Sequence, residues 1–216
     1  MPTNATVAEL LVSRLCHDLA GPMGAVGNGL ELICEEAAED VSGAAELAAR
    51  SSTQAVNLLQ FYRAAYGRTG GAALSDPSQL RRLAHGVFDN TRIKLFWPER
   101  LAEEMPAAQA KLLLNLLTVA AEALPRGGDI SLSAGEARRG GGAGLLQASA
   151  EGQGAALKED LRAALTGELP EESLTPRNVH GAYARELAWR LGLALRVESA
   201  ADRVVVAAVA ADPPAS

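Results

Sequence analysis

Ser13-Arg-Leu-Cys-His17-Asp18-Leu-Ala-Gly21-Pro22-Met-Gly24 is the stretch on which the reading of this chain turns. It sets a His-Asp pair in the middle of an apolar rhythm, with a proline five residues after the histidine. Val7, Leu11, Leu15, Val26, Leu30 and Ile33 recur at helical spacing and form a core-facing stripe. Ser13, Arg14, His17 and Gly21 share another face, because residues three and four apart are neighbours on a helix. Local propensity argues against a helix here. Gly21, Gly24, Gly27 and Gly29 each cost ~1 kcal/mol and Pro22 ~3 kcal/mol, roughly 7 kcal/mol together. On that ground the helix would stop at Ala20, leaving a loop with a surface histidine. The apolar rhythm nevertheless keeps its phase through Ile33, which favours one kinked helix held by packing. His17 then sits on the wet face, Asp18 is placed to orient its ring, and the glycines leave room for another backbone.

The bulk properties bound the rest. With 216 residues the chain holds one large or two small domains. It is 48% hydrophobic with only eight aromatics and many alanines, a helix-leaning composition. A net charge of −6 argues against a nucleic-acid or anionic-membrane surface. The first 72 residues carry eight acids against four arginines and no lysine, so the acidity is concentrated there. The longest uncharged runs, such as Leu19 to Leu30, are 12 residues and too short to span a bilayer. No signal peptide is evident at the N-terminus. Cys16 and Cys34 would lie ~27 Å apart along one helix, too far for a disulfide. Reduced thiols and a cytoplasmic location are expected.

A second helical pattern from Ser42 to Tyr66 carries the stripe Ala44, Ala48, Ser51, Ala55, Leu58, Tyr62 and Ala65. Asp40-Val41-Ser42-Gly43 reads as the turn before it, with Ser42 able to cap. Two long helices and a short turn make an antiparallel hairpin whose apolar stripe a single copy cannot cover, so pairing into a four-helix bundle is expected. Arg68-Thr-Gly-Gly-Ala72 reads as a linker. Beyond it, helices are expected at Pro77–Val87, Ala107–Leu124, Leu157–Leu165 and Pro176–Leu191. Strands are expected at Ile93–Trp97, Ile130–Ala134, Leu145–Ala150, Leu193–Glu198 and Val204–Val209, several alternating in polarity. The fold class is therefore α+β, with residues 1–70 a helical hairpin and 74–212 an α/β two-layer sandwich.

The box His17-Asp-Leu-x-x-Pro22-Met resembles the phospho-accepting histidine box of two-component sensor kinases. The fuller run from Arg14 to Leu32 is similar to the ChpT-type histidine phosphotransferases of alphaproteobacteria. It departs from kinases in Cys16, where serine is usual, and in Ala20-Gly21, where Arg-Thr is usual. The resemblance implies that residues 74–212 are a degenerate kinase ATPase domain. Lys111-Leu-Leu-Leu-Asn115-Leu-Leu-Thr-Val119-Ala120 is similar to the kinase N box, yet Val119 stands where a magnesium-holding asparagine is usual. Leu146 to Gly154 resembles the Asp-x-Gly-x-Gly box that reads adenine, with Gly152 and Gly154 kept but Ala150 in place of the aspartate. Valine offers magnesium no lone pair, and alanine cannot accept from the adenine amino group. No ATP-binding and no metal site is expected. Gly140-Gly-Gly-Ala-Gly144 lacks a following Lys-Ser/Thr, so it reads as a hairpin loop, not a P-loop. His85 and His180 have no partner at metal spacing, and Asp89, Glu103, Glu104, Glu171 and Glu172 read as solvated charges.

The function expected from this is a phosphorelay step without ATP. A neutral imidazole nitrogen of His17 would attack a receiver phospho-aspartate, hold the phosphoryl group and pass it to a second receiver. Asp18 would fix the ring, giving His17 and Asp18 as the catalytic pair. Ser13, Arg14, Ala20, Gly21 and Gly24 would form the receiver-docking face, with Arg14 balancing charge. No intrinsic cofactor is expected, since Mg²⁺ would arrive with the receiver. The uncovered stripe implies a homodimer, and the resemblance implies a hybrid sensor kinase receiver as donor, with CtrA-like and CpdR-like response regulators as acceptors in cell-cycle control. A non-catalytic dimeric adaptor and an ATP-dependent histidine kinase are the alternatives.

Overall fold

The computed structural model describes residues 4–34, 41–67, 76–102, 105–135 and 146–211. Helix α1 runs Asn4–Cys34 with Pro22 inside it, so packing overrides the local cost of proline and glycine. Helix α2, Val41–Tyr66, lies antiparallel against it and buries Ala44, Ala48, Ser51, Ala55, Tyr62 and Ala65 from the expected stripe. The contact is close at Gly29. A Cβ there would lie 2.9 Å from the Ala44 carbonyl oxygen and 3.0 Å from the Ala48 Cβ, so only a hydrogen fits. The expected turn needs one correction: Val41, Ser42 and Gly43 are already helical, so Ser42 is not a cap, and Asp40 lies outside the described residues.

The sandwich follows as α3 (Pro77–Phe88), β1 (Ile93–Phe96), α4 (Ala107–Glu122), β2 (Gly128–Ala134), β3 (Leu146–Glu151), α5 (Glu159–Thr166), α6 (Val179–Arg190), β4 (Leu193–Ala200) and β5 (Arg203–Ala210). Short 3-10 turns at Glu99–Ala102 and Glu171–Ser173, which the sequence pattern does not show, punctuate it. Asp76 caps α3 by accepting from the Ser78 and Gln79 amides. The sheet order is β1-β2-β3-β5-β4. The β1–β2 pair, joined by the α4 crossover, is parallel, and the remaining pairs are antiparallel. Ile130, Leu132, Ala148, Ala150, Val204, Val206 and Ala208 make up much of the buried face of the sheet. The linker around Arg68 to Ala72, the Gly140–Gly144 loop, Glu103 and Glu104 lie outside the described residues.

Helix α4 explains how hairpin and sandwich meet. Every residue from Ala110 to Ala120 is buried, so this helix has no wet side. One side covers β2, β3 and β5, and the other is covered by α2 and α6. Phe61, Tyr62, Ala64 and Ala65 of α2 therefore belong to the same hydrophobic core as the sandwich. The polar residues of α4 serve that junction. Lys111 Nζ donates to the Gly67 carbonyl at 2.5 Å, and Asn115 Nδ2 donates to the Ala65 carbonyl at 3.0 Å, closing carbonyls at the end of α2.

The outer side of the hairpin is different. Val12 and Met23 of α1 and Val56 and Leu59 of α2 are exposed, and so is Leu30, which the apolar rhythm assigns to the core-facing stripe. At 3.6 residues per turn, His17 lies roughly 140° around α1 from Val12 and Leu30. A Cβ at Gly21 would meet nothing within 4 Å. Gly21→Ala is therefore expected to stabilise the protein by up to ~1 kcal/mol, whereas Gly29→Leu forces the helices apart and lowers the melting temperature. Thermal unfolding of the two variants checks this, and shifts of the same sign would contradict the packing described.

Candidate functional site

His17 stands on α1 with its side chain 81% exposed, while the neighbouring Asp18 is only 26% exposed. The difference follows from the helix: Asp18 turns toward α2 and His17 turns away. His17 Nδ1 lies 3.1 Å from Asp18 Oδ1. The other oxygen, Oδ2, accepts from the Tyr62 hydroxyl at 2.5 Å and lies 3.5 Å from Arg14 Nε. An ionised carboxylate only accepts, so the proton of the His17–Asp18 contact sits on Nδ1. In the neutral ring Nε2 then carries the lone pair.

Arg14 is where the sequence reading has to be corrected. Helical spacing puts it on the wet docking face, but its side chain is only 9% exposed. The long stem carries the guanidinium off α1 and into the sandwich. Nη2 pairs with Glu122 Oε1 at 2.7 Å, and Nη1 lies 2.9 Å from His180 Nδ1 and 3.4 Å from the carbonyls of Pro176 and Arg177. Arginine has donors only and stays charged. His180 Nδ1 must therefore accept, which places the remaining ring proton on Nε2. Burial, reinforced by the Arg14 charge, holds the His180 pKa well below its ordinary value. The structural role read for His180 is thus specific: it is a neutral acceptor for Arg14.

The other expected docking residues, Ser13, Ala20, Gly21 and Gly24, are exposed. Gly24, like Gly21, has open space where a Cβ would project. Between this face and the sandwich lies an open cleft of about 620 Å³. Ser13, His17 and Asp18 line it from α1, and Lys158, Asp160, Thr175 and Arg177 line it from the sandwich. Arg14 and Glu122 join the two sides. Sequence reasoning missed Glu122, Lys158, Arg177 and the site role of Tyr62. Tyr62 carried one visible signal, a phenol in a stripe otherwise made mostly of alanine, since a buried tyrosine hydroxyl usually has a partner.

The residues compared with nucleotide-binding boxes are engaged elsewhere. Asn115 is fully buried, and its amide donates to Ala65 and Lys111 carbonyls. Val119 and Ala150 are also fully buried. Gly154 donates its amide to Asp202 Oδ1 at 2.7 Å. A Cβ on Gly152 would come within 2.6 Å of the Gly127 carbonyl, so this glycine serves a tight chain crossing. Among the described residues, no group of three or more His, Cys, Asp or Glu is arranged to hold a metal ion. No described helix is long and apolar enough to cross a membrane. Cys16 and Cys34 are free and exposed.

Residues 77–203 match the family model of the histidine phosphotransferase C-terminal domain. The protein phosphotransferase ChpT of Brucella abortus (strain 2308) is 30% identical over 207 residues, covering 94% of each chain. The chain belongs to the ChpT-type histidine phosphotransferase family. A solved structure of a bacterial phosphotransferase agrees over nearly the whole length, with a TM-score of 0.78 at 27% identity, covering 96% of this chain and 98% of the other. The α+β fold of a ChpT-type phosphotransferase thus includes both the histidine-bearing hairpin and the sandwich.

The Arg14–His180 contact has a pH signature. His180 is neutral when folded and has an ordinary pKa of about 6.5 when unfolded, so unfolding takes up a proton below that pH. Its contribution to stability is present above about pH 6.5 and is lost as pH falls toward the depressed folded value. Imidazole NMR should show His180 neutral at pH 6, with its single ring proton on Nε2. A His180 that titrates near 6.5, or carries its proton on Nδ1, would contradict the buried contact.

Proposed function

We propose that this chain relays phosphoryl groups between receiver-domain aspartates through phospho-His17, without using ATP. The observation that carries the reading is the presentation of His17: a largely exposed imidazole whose Nδ1 is held by Asp18 beside an open cleft. In the first step the Nε2 lone pair attacks phosphorus of the donor's aspartyl phosphate. An N–P bond forms, the P–O bond breaks, and the donor aspartate leaves as a carboxylate with the electron pair. The Nδ1 proton stays in place, so the ring becomes a phosphoimidazolium whose positive charge rests against Asp18. Attack by the carboxylate of a second receiver reverses these changes and returns neutral His17. Positioning and charge neutralisation supply most of the catalysis in such transfers.

The donor in this reading is the receiver of a hybrid sensor kinase, and the acceptors are CtrA-like and CpdR-like regulators. Mg²⁺ comes with the receiver. The receiver docks on Ser13, Ala20, Gly21 and Gly24, where small side chains leave space, and reaches across the cleft toward Lys158 and Arg177. Arg14 supports this surface from beneath and does not form it. Burial of Val119 and Ala150, together with the commitment of Asn115 to the end of α2, supports independence from ATP. The exposed line of Val12, Met23 and Leu30, with Val56 and Leu59, supports a homodimer closed as a four-helix bundle. With the seam on that side, both copies of His17 face outward.

Incubation with a phosphorylated receiver in the absence of ATP is expected to move phosphate onto the chain at His17 alone. Mass spectrometry under alkaline conditions locates it, and His17→Ala should abolish transfer. Phosphate on His85 or His180, or labelling directly from Mg-ATP, would overturn the reading. Light scattering on the same sample should report twice the 22.4 kDa chain mass, and an active monomer would refute the bundle.

A further inference from the structure

Tyr62 makes a contact that the relay mechanism does not by itself require. It stands on α2, is 5% exposed, and its ring is fixed by stacking on Tyr66 at 5.1 Å and an edge contact with Phe61 at 6.0 Å. The hydroxyl therefore has a defined position, and it donates to Asp18 Oδ2 at 2.5 Å. Burial, with Tyr66 and Asp18 adding to it, raises the pKa of the phenol far above its ordinary value, so it remains a donor. Arg14 Nε also faces Oδ2, but 3.5 Å is too long to fix the carboxylate plane alone. An aspartate's terminal torsion is soft, and its partner His17 is open to water. Without a second anchor, Oδ1 has no reason to stay on Nδ1.

We propose that Tyr62 is a positioning residue: by holding Oδ2 it sets the Asp18 carboxylate so that Oδ1 keeps the His17 proton on Nδ1 and leaves Nε2 as the nucleophile. The inference rests on the relay reading of His17. It also places part of the site's geometry on α2, so that the interhelical contact, and not α1 alone, determines which nitrogen reacts. Tyr62 is too buried to meet a docked receiver, which separates its effect on chemistry from any effect on binding.

Tyr62→Phe keeps the ring and removes only the hydroxyl. Nitrogen NMR of the unphosphorylated protein should show His17 mainly as the Nδ1–H tautomer in the natural sequence and shifted toward Nε2–H in the variant. The rate of phosphoryl acceptance at saturating receiver should fall about tenfold, the low end of the loss seen when the partner orienting a metal-binding histidine is removed, with KM for the receiver unchanged. In an Asp18→Ala background, Tyr62→Phe should cost nothing further, because both act through one contact. An Nδ1–H tautomer that persists in Tyr62→Phe, or additive losses in the double variant, would overturn the proposal. If Tyr62→Phe does not fold, the Tyr62 hydroxyl proton of the natural protein decides. A slowly exchanging downfield signal that disappears in Asp18→Ala supports the contact, and its absence overturns it. A natural protein that accepts no phosphate would overturn the relay reading instead, while the tautomer comparison, which needs no phosphate, still decides the role of Tyr62.

Discussion

The Arg14 guanidinium is a charge held almost out of water between the histidine-bearing helix and the sandwich, and it ties the two together beside His17. It pairs with Glu122, is accepted by His180 and approaches two backbone carbonyls, so a single side chain from α1 engages α4, α6 and the segment before α6. Removing one partner of such a cluster leaves a buried charge without compensation, which costs far more than an exposed ion pair. The geometry is correspondingly restrictive. With Nη1 and Nη2 both engaged by the sandwich, Arg14 joins the two walls of the cleft next to His17.

The same junction accounts for the fate of the residues that resemble nucleotide-binding boxes. A helix that is apolar on every side needs cover on every side, and α4 receives it from the sheet below and the end of α2 above. Lys111 and Asn115 then have the task of closing the carbonyls where α2 ends. Asn115, which the sequence compares with the kinase N box, thus serves with Lys111 as a structural donor across a domain junction. The sandwich forms one wall of the cleft beside the histidine helix, and in the proposed relay the chemistry falls to His17, Asp18 and the receiver.

Local periodicity carried most of the fold. The rhythm from Val7 to Ile33 correctly outweighed the cost of Pro22 and the glycines, and α1 is one helix. Each strand was legible to within about two residues, because alternation reports which face is buried. Caps and chain reversals were less so: Ser42 lies inside α2, and the capping role of Asp76 depends on a side-chain rotamer. Of the candidate site, the His17–Asp18 contact was readable because the two are neighbours on one helix. Tyr62, Glu122 and His180 were not, since they lie 44 to 166 positions from the α1 residues they meet. Arg14 shows the difference most plainly. A helical wheel assigns it a direction, but a long side chain follows its charge partners, and those come from parts of the chain that the wheel does not contain.

Centrally, the site presents one particular nitrogen. Asp18 occupies Nδ1, so in the proposed relay the phosphoryl group bonds at Nε2. Nitrogen and phosphorus NMR of the phosphorylated chain at alkaline pH distinguishes the two isomers through the coupling between phosphorus and the bonded nitrogen. The structure predicts phosphorus on Nε2 of His17. Phosphorus on Nδ1 would mean that Asp18 releases the ring before reaction, and would contradict a site in which Asp18 selects the reacting nitrogen.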